Sequence, residues 1–204
     1  MRFAVFALTL LAAPPALNAQ EMLPELSPVE VVELARDTYR GGACWWDRVE
    51  AELNEVRSWN FTFRYEYEKD DDGPARPARL YQVPCHYGAY NVQSLFFYET
   101  EFDGLGPLHF AEPELEIDYA DDSDTVVRSI KVVGFASTSA LVNASYDEGS
   151  RTITSFSRWR GLGDASSSGT WMFRDGHFVL TEYSVDASYD GEITPETVYS
   201  ARGD

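Results

Sequence analysis

The segment from Arg158 to Asp164, with the sequence R-W-R-G-L-G-D, combines residue types that commonly hold a small ligand. An arginine guanidinium can bind a carboxylate or a phosphate through two parallel hydrogen bonds. The two glycines permit a tight loop or the close approach of a ligand to the backbone. The same residues fit a strand end and a turn in which Arg158 or Arg160 pairs with Asp164, so both interpretations stay open.

Aromatic and polar residues elsewhere in the chain could complete such a site. Tryptophans such as Trp159 and Trp171 can stack on a sugar or another ring. We predict a ligand-binding surface formed by six candidate residues: Tyr90, Asn91, Arg158, Arg160, Asp164 and Trp171.

The motifs give little support to nucleophilic or zinc-dependent catalysis. The serine cluster 166–168 is typical of a loop, and both G-x-S-x-G and S-x-x-K are absent from the sequence. The three histidines, His86, His109 and His177, lack H-x-H and H-E-x-x-H spacing. We therefore predict no catalytic residue, no metal site and no cofactor.

Acidic residues leave two further interpretations open. The runs at 70–72 and 121–124 could hold calcium through oxygen ligands, although neither fits an EF-hand loop, and solvated turns explain them equally. Paired carboxylates such as Glu114 and Glu116 would suit glycoside hydrolysis only if the fold opposed them in space.

Length and charge limit the class of protein. The 204 residues correspond to one ordinary domain, and 16 Lys and Arg against 34 Asp and Glu give a formal net charge of -18. Nucleic acids and anionic membrane surfaces attract basic faces. The charge therefore argues against both kinds of partner.

Residues 1–19 have the pattern of a cleaved secretory signal peptide. Arg2 supplies a positive start, the following apolar run is too short to span a bilayer, and Ala19 offers a small residue at the cut. We predict that residues 20–204 form a single periplasmic or secreted domain without a transmembrane segment.

The two cysteines, Cys44 and Cys85, are expected to form a disulfide. An even pair in an oxidising compartment is usually paired, and it would stabilise the fold by roughly 4 kcal/mol in the chain-entropy model. A redox or metal pair would need C-x-x-C spacing or further ligands, and His86 alone does not complete a four-ligand set.

Two helical patterns open the predicted mature chain, so that residues 27–57 are expected to be helical. Ser27-Pro28-Val29-Glu30 combines an N-cap, a first-turn proline and a capping-box glutamate, and Gly41-Gly42 ends this helix. A second apolar face, with the helical period, runs from Trp46 to Val56.

Residues 58–204 show the patterns of short antiparallel strands. Residues 59–67 alternate apolar and polar side chains, and Asp175-Gly176 forms a preferred two-residue turn between strands at 171–174 and 177–180. Other strands are predicted at 79–83, 90–98, 114–119, 125–135, 140–146 and 151–159. The predicted class is mainly β (α+β), an antiparallel meander, sandwich or barrel with one or two N-terminal helices.

Three motifs resemble those of a known family. They lie at 83–91 (V-P-C-H-Y-G-A-Y-N), at 155–171 and at 175–180. With their P-C-x-x-G-A-Y-N and R-G-x-G-D signatures, they resemble a domain-of-unknown-function family of bacterial, mostly proteobacterial, periplasmic proteins. The resemblance covers roughly residues 81–199 and implies no established activity.

The resemblance also implies a lost disulfide. The family pattern has cysteines at positions that match Ala165 and Ala187 of this chain. Joint replacement of both partners would avoid a free thiol in an oxidising compartment. We therefore expect the two Cα atoms to lie within about 7 Å of each other.

Aromatic and Gly-Arg clustering without a catalytic set favours a non-catalytic binding or interaction module of the cell envelope. Its partner would be a small ligand, a glycan or another periplasmic protein. One alternative is a carboxylate-based hydrolase, which needs two opposed acids in a pocket. The other is an inhibitor-like protein that binds a basic partner through charge complementarity.

Overall fold

The computed structural model describes residues 22–41 and 44–201. The predicted signal peptide with its cleavage site at Ala19, the Gly42 part of the predicted helix end, and residues 202–204 lie outside the described residues.

Two helices come first in the described part of the chain, α1 at Pro28–Thr38 and α2 at Trp46–Ala51. The predicted capping box is confirmed, because the Ser27 hydroxyl accepts the Glu30 N–H and the Glu30 carboxylate accepts the Ser27 N–H. The second helix is shorter than predicted, since a 3-10 turn at Leu53–Glu55 replaces its last part.

Strands make up most of the remainder, in three antiparallel sheets. Their bounds are β1 Arg57–Phe63, β2 Arg76–Tyr87, β3 Val92–Thr100, β4 Gly104–Pro107, β5 Phe110–Tyr119, β6 Val127–Thr138, β7 Ala140–Val142, β8 Ser145–Asp147, β9 Thr152–Arg158, β10 Ser166–Arg174, β11 His177–Asp186 and β12 Glu196–Ser200. The first sheet has the order β1-β2-β3-β4, with β7 also paired to β3. The second has the order β12-β11-β10-β9-β8, and β5 and β6 form a separate hairpin.

The first sheet is buried on both faces. Tyr81, Val83 and Phe97 pack with the helices in one hydrophobic cluster. Leu80 and Phe96, which alternate with them along β2 and β3, pack in a second cluster. This two-sided burial explains why β2 is buried almost along its whole length.

The second cluster joins the two large sheets and the β5–β6 hairpin. It contains Ile153, Trp171, Leu180 and Val185 from the second sheet and Phe110 from the hairpin. The sheets are open rather than closed on themselves. The predicted mainly β class is therefore confirmed in its sandwich form, with the helices as an outer layer.

The predicted strand at 59–67 is too long. Its alternation continues to Tyr67, but β1 ends at Phe63 and a 3-10 turn follows at Glu66–Glu68. The Glu66 N–H donates to the Asp175 carboxylate at 2.7 Å, which draws the chain towards the β10–β11 turn. Tertiary hydrogen bonding therefore overrides the local pattern.

Other parts of the chain also differ from the prediction. The serines at 166–168 belong to β10 rather than to a loop. The single strand predicted at 140–146 is divided into β7 and β8, which lie in different sheets, and Asn143 between them has a positive φ of 43°. Strands β4 and β12 were not predicted from the sequence.

The Cys44–Cys85 disulfide is present and links the segment before α2 to the end of β2. The Trp45 N–H also donates to the Cys85 carbonyl at 2.8 Å. Among the described residues, no helix has the length and apolar character needed to cross a membrane.

Candidate functional site

A groove of about 360 Å³ lies at the end of the first sheet, beside the turn at residues 88–91. Three of its lining residues lie side by side on neighbouring strands: Gln93 on β3 is the register partner of His86 on β2 and of Val142 on β7. We call it the Tyr90 groove; it is lined by His86, Gly88, Ala89, Tyr90, Asn91, Gln93, Val142 and Ser157.

The Asn91 side chain fixes the turn to the second sheet. Its amide nitrogen donates to the Arg158 carbonyl at 2.8 Å, and its amide oxygen accepts the Arg158 N–H at 3.2 Å. The predicted proximity of Asn91 and Arg158 is thus present, but it runs through the Arg158 backbone. Asn91 positions the groove and has little hydrogen-bonding capacity left for a ligand.

Asn143 joins the same network, and the sequence reasoning missed it. Its amide nitrogen donates to the Asn91 amide oxygen at 3.0 Å and to the Phe156 carbonyl at 2.9 Å, and its amide oxygen accepts the Val92 N–H at 2.9 Å. A signal was available, because asparagine is one of the few residues other than glycine that often adopt a positive φ.

The loop 159–165 closes over the edge of the groove. The Trp159 N–H donates to the Ala165 carbonyl at 2.9 Å, and Gly163 has a φ of 80°. A Cβ atom on Gly161 would lie 3.5 Å from the Tyr90 ring, so the loop backbone packs directly against that ring.

Arg160 and Asp164 form an ion pair, as one of the two sequence interpretations proposed. The Arg160 Nε donates to one Asp164 oxygen at 2.6 Å and its Nη2 donates to the other. Asp164 is buried and also accepts the Gly191 N–H at 2.9 Å. Because these bonds occupy the carboxylate, the pair braces the loop.

Arg158 lies on the outer face of the second sheet. Its guanidinium carbon is 6.0 Å from the Phe156 ring, and both residues are exposed and two positions apart in β9. Ser157 between them is the β9 residue that lines the groove. Strand alternation therefore places the Arg158 side chain away from the Tyr90 groove.

The structure corrects the expectation that Trp171 belongs to a binding surface. Its side chain is 1% exposed, its indole N–H donates to the Ala111 carbonyl at 3.0 Å, and its ring packs against Phe110. A Cβ atom on Gly169 would lie 2.3 Å from the same ring. Trp171 is therefore a core residue.

Four groove side chains keep free hydrogen-bonding groups within the described residues. They are His86, Tyr90, Gln93 and Ser157, none of whose side-chain polar atoms bonds to another described group. Of these, only Tyr90 was a predicted candidate. The other three were missed because His86, Gln93 and Ser157 converge through strand register, which spacing along the chain does not reveal.

A larger groove of about 630 Å³ lies between β6 and the β11–β12 connection. Its buried Asp186 accepts hydrogen bonds from the Ser188 hydroxyl at 2.8 Å and the Thr194 N–H at 2.5 Å. This carboxylate holds the connection in place and has no free oxygen aimed at a ligand.

The acidic run at 121–124 forms a hydrogen-bonded turn. The Asp121 carboxylate accepts bonds from Ser123, Thr125 and the Val126 N–H, which lower its pKa to about 2. Within residues 22–41 and 44–201, no three His, Cys, Asp or Glu side chains group closely enough to hold a metal ion.

Residues 75–197 match the protein family described as "Protein of unknown function (DUF1176)". The chain belongs to this family. The DUF1176 match includes every residue that lines the Tyr90 groove and the whole loop 159–165, which confirms the resemblance to a domain-of-unknown-function family. No curated protein and no solved structure matches the chain.

Proposed function

We propose that this DUF1176 protein is a non-catalytic binding module of the cell envelope, and that the Tyr90 groove is its ligand site. The proposal takes residues 20–204 as one mature domain, released into the periplasm or the medium by signal-peptide cleavage after Ala19. The Cys44–Cys85 disulfide supports an oxidising location.

The main support is a groove that is already formed and rigidly braced. Asn91, Asn143 and the Arg160–Asp164 pair hold its walls, while four other side chains present unused polar groups to it. A site that is ordered before binding loses less conformational entropy when the ligand arrives. This division between bracing and free side chains is typical of a binding site.

The composition of the Tyr90 groove disfavours it as the site of the hydrolase alternative. A carboxylate-based glycoside hydrolase places two acids on opposite sides of the bond that it cleaves. The eight described residues that line the Tyr90 groove include no aspartate or glutamate. The inhibitor-like alternative would rest on the overall charge of -18, since no particular contact in the described residues favours it.

A thermal-shift screen of envelope glycans, peptides and small metabolites tests the proposal. Tyr90→Ala removes the exposed ring, and Tyr67→Ala is the matched control, because Tyr67 is exposed and lies near the opposite end of β2. A ligand should raise the Tm of the wild type and of Tyr67→Ala but not that of Tyr90→Ala.

Equal shifts in all three proteins, or no shift of the wild type across the screen, would reject the groove as the site. Incubation of each ligand that binds, followed by mass spectrometry, separates binding from turnover. Release of a cleaved product would support the hydrolase alternative instead.

A further inference from the structure

We infer that the Tyr90 groove recognises an uncharged, hydroxyl-rich ring, which is the chemistry of a neutral saccharide. The inference rests on the proposed function, since it names the ligand class for the same groove. It follows from the chemistry of the lining, from the exposed rings beside it and from the distribution of charge.

The free polar groups in the groove both donate and accept hydrogen bonds. The amide of Gln93 and the hydroxyls of Tyr90 and Ser157 each have this double capacity, and the two ring nitrogens of His86 add further hydrogen-bonding groups. Sugar hydroxyls have the same capacity, so each can bond to such a group in either direction. A carboxylate or a phosphate only accepts, and would leave part of this capacity unused.

Two exposed aromatic rings lie at the groove. Tyr90 is 41% exposed and its ring is backed by the Gly161 backbone. Trp45 is 47% exposed and packs edge-on against the His86 ring, with 4.2 Å between the ring centroids. Rings held in this way offer apolar faces on which the C–H side of a pyranose can pack.

Charge favours a neutral ligand over an acidic one. The lining carries no lysine or arginine, and the Arg158 side chain lies on the other face of β9. A chain with a net charge of -18 repels anions at low ionic strength, and the lining offers no cation to offset that repulsion.

A basic ligand would likewise find no acidic side chain in the groove to pair with. The segments 80–98, 125–146 and 149–163, which meet around Asn143, contain no aspartate or glutamate. In a chain with 34 acids, these segments therefore hold no acidic side chain, and their lysines and arginines lie outside the lining of the Tyr90 groove. At physiological salt, exposed charges more than about 8 Å away are largely screened, so the local composition decides which ligand is accepted.

The size of the groove suits a small number of sugar rings. Its volume of about 360 Å³ is at the lower end of the range for small-ligand sites, roughly 300–1,000 Å³. The groove would therefore bind one or a few residues of a glycan while the rest of the glycan stays in solvent.

Isothermal titration calorimetry with defined probes tests the inference. The neutral probes are maltotriose, cellotriose and tri-N-acetylchitotriose, the acidic probe is trigalacturonate, and the peptide probe is trialanine. At least one neutral probe should bind the wild type and Tyr67→Ala equally. Tyr90→Ala and Gln93→Ala should each weaken that binding by about tenfold or more, because each removes a contact to the sugar.

Tyr90→Phe provides the conservative variant. It keeps the ring and removes the hydroxyl, so it should weaken binding less than Tyr90→Ala does. All variants are first compared with the wild type by Tm, so that a loss of binding is not confused with a loss of fold.

The other outcomes are distinguishable. If trigalacturonate or trialanine binds in a Tyr90-dependent way and no neutral sugar does, the saccharide inference is wrong and the proposed function stands. If no probe binds in a Tyr90-dependent way, the saccharide inference is rejected, and the thermal-shift screen decides whether the groove binds another ligand.

Discussion

Asn143 is a residue whose role depends on the direction of its hydrogen bonds. Its amide nitrogen faces three oxygens, from Asn91, Phe156 and the Tyr90 carbonyl, and its amide oxygen faces the Val92 N–H. An isosteric aspartate would keep the last bond and place an oxygen against the other three. A single substitution can therefore test whether this amide braces the groove.

We expect Asn143→Asp to lower the free energy of unfolding by about 1 kcal/mol, because three acceptors lose their donor and gain a negatively charged neighbour at an exposed site. Urea unfolding measures the change. Asn60→Asp, at an exposed position of β1, is the matched control for added charge. If both variants lose the same stability, Asn143 is not a brace.

Glu99 gives a pH-dependent prediction at the same scale. Burial raises the pKa of this carboxyl above its ordinary value, although Arg79 opposite it on β2 acts in the other direction. One of its oxygens is buried without a hydrogen-bond partner within the described residues. The folded state therefore binds the Glu99 proton more tightly than the unfolded state does, and this side chain lowers stability as pH rises above 4.5 through the folded pKa.

We expect Glu99→Gln to raise the free energy of unfolding relative to the wild type at pH 7, and the difference to shrink as pH falls below 4.5, where the wild-type carboxyl is protonated too. Chemical unfolding at several pH values measures it. Glu116→Gln, at an exposed site, is the control. A Glu99→Gln variant that is less stable at neutral pH would show that the charge is compensated in the fold.

At the scale of elements, prediction succeeded where the signal was local and complete. The α1 capping box needs four neighbouring residues, and the Asp175-Gly176 turn needs two, which take φ values of 48° and 85°. Prediction failed where a residue distant in the sequence determines the local structure. Strand β1 ends because Glu66 bonds to Asp175, and the serines at 166–168 form a strand because β9 and β11 flank them.

The β10–β11 pair also bears on the expected lost disulfide. Ser166 and Asp186 are the last register partners of this pair, so Ala165 and Ala187 directly follow its paired end, and both are buried. Opposed positions of an antiparallel pair have Cα atoms about 4.5–5.5 Å apart, which a disulfide can span.

We expect the double variant Ala165→Cys/Ala187→Cys to form a second disulfide and to gain about 3 kcal/mol of stability, since the bond closes a loop of modest length. Mass spectrometry and thiol titration of the oxidised protein detect the bond, and unfolding with and without reductant, compared with the wild type, measures its effect. Two free thiols after oxidation would show that the side chains do not meet.

At the scale of the whole molecule, the sequence could indicate the neighbourhood of the candidate site but not its lining. Tyr90, Asn91 and the loop after Arg158 do come together, yet Asn91, Arg160 and Asp164 are used as braces and Trp171 lies in the core. Whether a polar side chain bonds within the protein or stays free to bind a ligand depends on its partners across the sheets. Composition and spacing do not reveal those partners.

The predicted export of the protein can be checked on the chain itself. Expressed with its own N-terminus in a Gram-negative host, the protein should be recovered from the periplasm with Gln20 as its first residue. Intact mass and N-terminal sequencing measure this. A cytoplasmic chain that retains residues 1–19 would contradict the proposed location, and an Ala19→Lys variant should remain unprocessed.

The most direct test of the central claim, that the Tyr90 groove is a site for a neutral saccharide, is a ¹H–¹⁵N NMR titration with the three neutral trisaccharides. The account predicts shifts of the backbone amides at residues 86–93, 142 and 157 and of the Gln93 side-chain amide. The amides at 66–68 and 175–176, near the opposite end of β2, should remain unchanged. Shifts confined to another surface, or no shift at millimolar sugar, would contradict it.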